Sequence, residues 1–294
     1  MSNFFSYTNL SKSLKNLLIF LPIFLSNKSF ETIDFYKLLI GFILFSIITN
    51  TIYIINDFKD KDIDKKNILK KKVNSASYLS KNSFIFLNIF LFFFLIFIYF
   101  IGYFNEHIIF YLLNFYLYTY IVKQIKFLDI ISLQFFYVAR FGYGAELVGI
   151  ELSIWFIIFF SSLFVILASS KRLIQIKENN LIKVNKIIPY NISNIPTLKI
   201  IISIFSIINL LIILLFFLKD YLIFSEYFSS PQTKLSYSIT QILIVLFFYF
   251  LNGIRILYNL FNAKIKIDIF QYVARDRLII ASFILIIIIL KLTE

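Results

Sequence analysis

The sequence has 294 residues, of which 60% are hydrophobic and only 15% are charged, and its mean hydropathy is +0.85. Because so few charged residues cannot supply the polar surface of a water-soluble domain, the composition excludes a soluble globular fold and predicts that much of the chain faces lipid. The net charge is +13, and the charged residues lie between the apolar runs. This distribution favours anionic lipid or phosphate substrates as partners and argues against nucleic acid.

A helix needs about 20 mostly apolar residues to cross the hydrocarbon layer of a bilayer. Nine stretches of the chain meet or approach this requirement, and they predict an all-α polytopic membrane protein with nine transmembrane helices. In chain order the predicted spans are 13–26, 36–56, 83–103, 107–122, 128–148, 152–170, 198–218, 238–258 and 278–292. The first and the fourth are short or polar at one end.

The basic residues are distributed unevenly among the loops between these spans. Lysines crowd the loop between the second and third spans, and further lysines and arginines follow the fourth, sixth and eighth spans, whereas the alternate loops carry few unbalanced bases. Nine spans with the N-terminus inside place every strongly basic loop on the cytoplasmic side. The pattern therefore predicts an integral protein of the cell (inner or plasma) membrane, with its N-terminus in the cytoplasm and its C-terminus outside.

The second span closes on an acidic run, N-D-F-K-D-K-D-I-D at 56–64. On a continuous helix Asn56, Asp60 and Asp64 share one face, with Asp57 at its edge, and carboxylates this close repel unless a cation lies between them. Oxygen ligands of this kind suit Mg²⁺, which completes its coordination with water and substrate phosphates. We therefore predict that Asn56, Asp60 and Asp64 bind Mg²⁺ and that Asp57, Asp60 and Asp64 are catalytic; the alternative is a solvated helix end paired with lysines.

The chemistry available to such a site follows from the rest of the composition. The chain has no cysteine and one histidine, His107, so disulfides, thiolate metal sites and a His-rich metal cluster are excluded. A diphosphate bound through Mg²⁺ leaves more readily, because the metal and nearby basic side chains neutralise the charge that develops on it. The carbon left behind must tolerate positive character. An allylic prenyl carbon and a ribosyl anomeric carbon both do, so the acidic run alone does not choose between them.

The N-D-x-x-D-x-x-x-D spacing at 56–64 resembles the first Asp-rich motif of the UbiA superfamily of intramembrane prenyltransferases. That family has nine transmembrane helices around a central cavity open to the lipid, and the resemblance implies the same architecture here. It also implies one domain over 1–294, with catalytic cytoplasmic loops near 57–82, 123–127, 171–197 and 259–277.

Other motifs resemble one branch of that superfamily, the decaprenyl-phosphate phosphoribosyltransferases. They occur in the expected order along the chain: K-N…P from Lys15 to Pro22, L-D…R…G from Leu128 to Gly144, G-x-x-L-S-x-W-F…K-R from Gly149 to Arg172, then Tyr190, Arg255 and R-D-R at 275–277. The resemblance implies Mg²⁺-dependent transfer of a 5-phosphoribosyl group from phosphoribosyl diphosphate to a polyprenyl phosphate. The alternative is a prenyltransferase that moves an isoprenyl group from prenyl diphosphate to an aromatic or other acceptor; a third hypothesis is a transporter or Mg²⁺-binding scaffold.

The same resemblance and the local charges provide the candidates for substrate binding, which are Lys15, Lys70, Lys72, Tyr118, Lys123, Arg140, Lys171, Arg172, Tyr190, Arg255, Asp276 and Arg277. Several have simpler alternatives: interfacial anchoring for Tyr118, Lys123 and the Lys171-Arg172 pair, pairing with Glu146 for Arg140, and a structural ion pair for Asp276. Glu146 itself departs from the branch, which has a small apolar residue there. The expected partners are the two substrates and the membrane, with homo-oligomerisation left open.

Overall fold

The structure, a computed structural model, describes residues 14–25, 31–60, 80–182, 189–226, 239–262, 264–265, 269–273 and 275–291. Over these ranges the regular structure is helical and includes no β-strand, which confirms the predicted all-α class. A 3₁₀ helix, Leu14–Phe20, runs into α1 (Leu21–Leu25). The remaining helices are α2 (Thr32–Lys59), α3 (Lys81–Phe100), α4 (Glu106–Tyr120), α5 (Leu128–Leu147), α6 (Ile154–Ile182), α7 (Ile195–Glu226), α8 (Ile239–Phe261), α9 (Ile269–Val273) and α10 (Arg277–Lys291).

Five stretches of helix among the described residues are long and apolar enough to cross a membrane. They are Thr32–Lys59, Asn82–Phe100, Ile154–Lys177, Ile192–Leu215 and Ile244–Phe261. Their outer surfaces are apolar, as in α3, where Phe86, Phe93 and Phe100 are each more than 60% exposed. Large exposed apolar surfaces of this kind are stable in lipid, and the five helices are compatible with a multi-pass membrane protein. The other four predicted spans are helices that are shorter or less apolar.

The chain divides into two compact units. The first comprises Met1–Ser153 and Lys183–Pro189, and the second comprises Ile154–Ile182 and Tyr190–Glu294. The first unit therefore contains the 3₁₀ helix Leu14–Phe20, which we call the N-terminal segment, together with α1–α5. The second unit contains α6–α10. One domain over 1–294 stays a prediction.

Two parts of the second unit differ from the sequence-based prediction. Helix α6 continues to Ile182, so Lys171 and Arg172 lie within a helix and not in the loop predicted at 171–197. The reason is that lysine, arginine, glutamine and glutamate are good helix formers, and a helix does not have to end where its residues become polar. The short helix α9 lies within the loop predicted at 259–277.

The core of the first unit is formed where the N-terminal segment, α2, α4 and α5 meet. Phe45 of α2 packs its ring against Tyr111 of α4 at 5.0 Å and against Tyr143 of α5 at 5.1 Å, and all three side chains are buried. The N-terminal segment contributes Ile19, which is completely buried. This segment therefore belongs to the core of the unit.

The contact between the N-terminal segment and α5 depends on a glycine. A Cβ atom at Gly144 would lie 1.9 Å from the carbonyl oxygen of Ile19 and 2.7 Å from its carbonyl carbon. These are backbone atoms, which cannot move aside as the end of a side chain can. The glycine in the L-D…R…G stretch is thus required for the close approach of two backbones.

Replacing this glycine is expected to destabilise the protein. Gly144→Ala should lower the free energy of unfolding by about 1–3 kcal/mol, because the added methyl group forces the N-terminal segment away from α5. Gly253→Ala is the matched control: a Cβ at this position of α8 meets nothing within 4 Å, so alanine should be neutral or slightly stabilising in a helix. Denaturant titration of both variants in detergent measures the difference, and equal stabilities would contradict the close approach.

Candidate active site

The acidic run begins in the last turn of α2. The helix ends at Lys59, and the backbone N–H of Asp60 still donates to the carbonyl oxygen of Asn56 at 2.9 Å, so Asp60 forms the C-cap. Asp57 lies in the last turn and is half-buried. Asp64 lies outside the described residues, as do Lys70 and Lys72. Of the three residues predicted to share one helix face, the structure therefore describes Asn56 and Asp60.

Asp60 holds the site together through one carboxylate oxygen. Its Oδ2 accepts a hydrogen bond of 3.0 Å from Nδ2 of Asn56 and an ion-pair contact from Nζ of Lys123. Lys123 comes from the 3₁₀ turn Val122–Gln124 between α4 and α5. The Asp60 and Lys123 side chains are only 13% and 17% exposed, so their attraction is screened less by water than that of a surface pair. Three of the predicted site residues are thus in direct contact.

A second lysine lies beside this group. Nζ of Lys59 donates to the carbonyl oxygen of Thr119 at 3.3 Å and lies 3.0 Å from the centre of the Tyr120 ring. An ammonium group at this place stabilises the C-terminal end of α4, where the helix dipole is negative. Lys59 was not predicted as a site residue, although its position inside the acidic run could have indicated it. We call Asn56, Lys59, Asp60 and Lys123 the α2-end cluster.

Two buried oxygens, one in the α2-end cluster and one beside it, have no hydrogen-bond partner among the described residues. They are Oδ1 of Asn56 and Oγ1 of Thr119. A buried polar atom without a partner costs about 1–3 kcal/mol, and a bound water or ion would remove that cost. Together with the carboxylate of Asp60, Asn56 Oδ1 is an oxygen ligand of the kind that Mg²⁺ prefers. The donor set therefore fits the predicted metal.

Arg140 lies in the interior of the first unit and is 2% exposed. Its Nε donates to Oδ1 of Asn16 at 2.8 Å, its Nη1 donates to the carbonyl oxygen of Phe136, and its Nη2 donates to the hydroxyls of Tyr53 at 3.2 Å and Tyr111 at 3.1 Å. Four hydrogen bonds to neutral groups thus hold this buried cation. They link α5 to the N-terminal segment, α2 and α4.

The partners of Arg140 are fixed in turn. Nδ2 of Asn16 donates to the hydroxyls of Ser46 at 3.0 Å and Thr49 at 2.9 Å, so Asn16 uses both ends of its amide. The pairing with Glu146 that the sequence left as an alternative is not the contact observed: the Glu146 carboxylate lies 3.6 Å from His107. A substrate-binding role for Arg140 stays a prediction.

Two further predicted residues lie near this arginine. Nζ of Lys15 and the guanidinium carbon of Arg140 each lie 5.9 Å from the centre of the Tyr137 ring. The ring of Tyr118 packs edge-on against Phe136 at 5.8 Å. Both predicted residues therefore lie next to the Arg140 network.

In the second unit, Asp276 joins Arg255 to the start of α10. Its Oδ2 accepts from Nε of Arg255 at 2.9 Å and from the hydroxyl of Tyr272 at 2.8 Å, while its Oδ1 accepts from the backbone N–H of Leu278 at 3.1 Å. Burial alone would raise the pKa of the Asp276 carboxyl, but the hydrogen bonds from Arg255 and Tyr272 outweigh it and hold that pKa below its usual value. Asp276 is thus the N-cap of α10 and the ion-pair partner of Arg255, while its role in substrate binding stays a prediction. Arg277 is exposed beside it.

The other predicted residues of the second unit lie on α6 and just before α7. Arg172 is 3% exposed and donates to Oε1 of Gln175 at 2.6 Å, and Tyr190 is also buried. Lys171 is half-buried. Further along α6, Lys177 donates to the last carbonyl oxygens of α8, those of Leu260 and Phe261, at 3.0 and 3.1 Å. This lysine caps a helix, as cations at helix C-termini commonly do.

Comparison of the chain with protein-family models and with curated protein sequences found no match. Membership of the UbiA superfamily, and of its phosphoribosyltransferase branch, therefore stays a prediction from the motifs.

Proposed function

We propose that this protein is a Mg²⁺-dependent membrane transferase that moves a 5-phosphoribosyl group from phosphoribosyl diphosphate to a polyprenyl phosphate. One observation carries the proposal: the carboxylate of Asp60 is held between the Asn56 amide and the Lys123 ammonium, and Oδ1 of Asn56 is buried without a partner among the described residues. The cluster combines oxygens for a hard cation with ammonium groups for phosphate oxygens. A metal–diphosphate complex needs both.

Each residue of the α2-end cluster has a part in this proposal. Asn56 Oδ1 and the Asp60 carboxylate hold Mg²⁺, with Asp64 as the further ligand expected from the motif. When bound, Mg²⁺ neutralises the charge that develops on the departing pyrophosphate. Lys123 leaves Asp60 and contacts the diphosphate, and Lys59 adds a second positive charge close by. Catalysis then comes from positioning and charge stabilisation.

The reaction needs no general base. An oxygen of the ionised lipid phosphate attacks the anomeric carbon of the ribose, the bond from that carbon to the diphosphate oxygen breaks, and pyrophosphate leaves with the electron pair. No proton has to be transferred. This agrees with a chain that has no cysteine and whose single histidine, His107, lies in the first turn of α4, whereas the α2-end cluster contacts the opposite end of that helix.

The basic residues of the second unit favour phosphoribosyl transfer over prenyl transfer. The stretch at 171–178 reads K-R-L-I-Q-I-K-E, where ordinary UbiA prenyltransferases are expected to carry a second Asp-rich motif. Lys171 and Arg172 are cations, so they are better suited to bind the phosphate of a lipid acceptor or of the ribose than to bind a second metal ion. The further candidates for substrate binding in this unit are Tyr190, Arg255, Asp276 and Arg277.

We further propose nine spans around a lipid-open cavity, with the active site on the cytoplasmic side of the cell membrane. The contact between Asp60 and Lys123 supports one part of this arrangement, the position of both residues on the same side of the membrane. Asp60 follows the second span and Lys123 follows the fourth, so two loops that the charge pattern assigns to one side of the membrane meet. The N-terminus then lies inside and the C-terminus outside.

The first experiment is a transfer assay with the purified full-length protein. Labelled phosphoribosyl diphosphate and a polyprenyl phosphate should give a labelled lipid, EDTA should abolish the product, and excess Mg²⁺ should restore it. Reactions without polyprenyl phosphate are the control. Consumption of a prenyl diphosphate with an aromatic acceptor, and no labelled lipid from phosphoribosyl diphosphate, would instead support the prenyltransferase; turnover of neither donor would contradict the enzyme.

A further inference from the structure

A second group of potential metal ligands lies at the other end of α4. Glu106 and His107 are the first two residues of this helix, and Glu146 lies in the last turn of α5. The α2-end cluster contacts Thr119 and Tyr120, at the C-terminal end of α4. Fifteen residues at 1.5 Å per residue separate the two ends by about 22 Å. The group is therefore separate from the proposed active site.

The three side chains converge closely enough to share one ion. One ligand atom of each of Glu106, His107 and Glu146 lies within 4.8 Å of the other two, and Nε2 of His107 lies 3.6 Å from Oε2 of Glu146. Ligand atoms bound to one Zn²⁺ at about 2.0–2.2 Å lie roughly 3–4 Å apart. Small rotations of the two exposed glutamate side chains close that difference.

The backbone of α5 makes room for the imidazole. A Cβ atom at Gly142 would lie 2.5 to 2.9 Å from three atoms of the His107 ring, so only glycine allows the ring to lie against α5 and reach Glu146. Glu146 is moreover placed at the negative end of the α5 dipole and close to the carboxylate of Glu106. A carboxylate in that position is unfavourable unless a cation is bound beside it.

A cavity of about 390 Å³ adjoins the group. It is lined by Lys37, Tyr103, Asn105 and Glu146, among others. Oδ1 of Asn105 caps α4 by accepting from the backbone N–H of Ile108, whereas its Nδ2 is buried and has no acceptor among the described residues. A water held in this cavity would supply that acceptor.

We propose that Glu106, His107 and Glu146 bind one divalent transition-metal ion, with Zn²⁺ as the representative of the class. The imidazole selects this class over Mg²⁺ and Ca²⁺, which prefer oxygen ligands alone. The ion fastens the start of α4 to the end of α5 and keeps a coordination position open toward the cavity. The site explains two features that the proposed transfer reaction leaves unused: the only histidine of the chain, and a glutamate where the phosphoribosyltransferase branch has a small apolar residue.

The test is Zn²⁺ binding to the full-length protein, purified in detergent with a histidine-free affinity tag and treated with EDTA. Titration calorimetry should give one equivalent of Zn²⁺ in the presence of excess Mg²⁺. His107→Gln and Glu146→Gln should each weaken binding by at least about 100-fold, since even the partners behind a metal ligand contribute 10- to 100-fold. Glu151→Gln, an exposed glutamate five residues beyond Glu146, is the matched control and should bind like the wild type.

A second measurement does not depend on the variants being folded. In protein labelled with ¹⁵N-histidine the single imidazole gives one set of ring signals, and Zn²⁺ should shift them while Mg²⁺ should not. Asp60→Asn should retain this shift, because the proposed active site lies at the far end of α4. The proposal fails if Zn²⁺ leaves the ring signals unchanged, or if the glutamine variants bind Zn²⁺ as tightly as Glu151→Gln does; His107 and Glu146 then form an ion pair only.

Discussion

Asp60→Asn should reduce phosphoribosyl transfer by at least about 1,000-fold without unfolding the protein. The amide keeps the size of the carboxylate and can still accept hydrogen bonds from Asn56 and Lys123, so the end of α2 should keep its shape. It lacks the negative charge that Mg²⁺ requires. Initial rates of labelled-lipid formation at saturating Mg²⁺, together with the thermal midpoint of the purified variant, measure the two effects separately.

Glu31→Gln provides the matched control for this substitution. Glu31 precedes α2 at its opposite end, is exposed, and makes no hydrogen bond as a helix cap, so its loss of charge should leave the rate unchanged. If Asp60→Asn retained a rate within about threefold of Glu31→Gln, the α2-end cluster would not be the catalytic site, since one oxyanion or metal contact alone contributes far more than that.

Arg140→Met should lower the free energy of unfolding by about 3–5 kcal/mol, because it removes the guanidinium group that donates four hydrogen bonds. Methionine fills much of the same space but leaves Oδ1 of Asn16 buried without its donor and removes the donor from the hydroxyls of Tyr53 and Tyr111. Each buried polar atom that loses its partner costs about 1–3 kcal/mol. Denaturant titration in detergent, followed by circular dichroism, gives the difference from the wild type.

Arg275→Met is the control for this second substitution, because Arg275 is exposed and its loss should cost less than about 0.5 kcal/mol. The conservative variant Arg140→Lys separates structure from substrate binding, since lysine keeps the charge but cannot form the same fork of hydrogen bonds. A stable Arg140→Lys protein with a raised KM for either phosphate substrate would favour the predicted substrate-binding role over the structural role.

The features predicted correctly from the sequence are those set by local composition. The helical class and the positions of the helices follow from apolar runs, and the position of Asp60 at the end of α2 follows from the change to charged residues after Ile55. The contact of Asn56 with Asp60 agrees with their spacing of four residues. Such features depend on neighbours in the chain, so a pattern of residues is sufficient to find them.

The features that were missed depend on residues distant in the chain. The partners of Arg140 lie up to 124 positions away in the chain. No sequence pattern indicates that Arg140 would bind Asn16 and not Glu146. Helix α6 extends past its apolar run because its polar residues also favour helix, so hydropathy placed its end too early. The motif around Asp276 was identified, but its role as a helix cap follows from the position at which α10 begins.

Under the proposed function, the pairing of Lys123 with Asp60 sets the order in which the metal and the diphosphate bind. As long as the ammonium group neutralises the carboxylate, a lone divalent ion gains little on entering, because it must first break an existing ion pair. A diphosphate that brings its own metal offers the displaced lysine a new anion at the same moment, so the exchange of counter-ions is nearly balanced. Under the proposed function, the protein would therefore hold Mg²⁺ weakly between turnovers and tightly only together with the sugar donor.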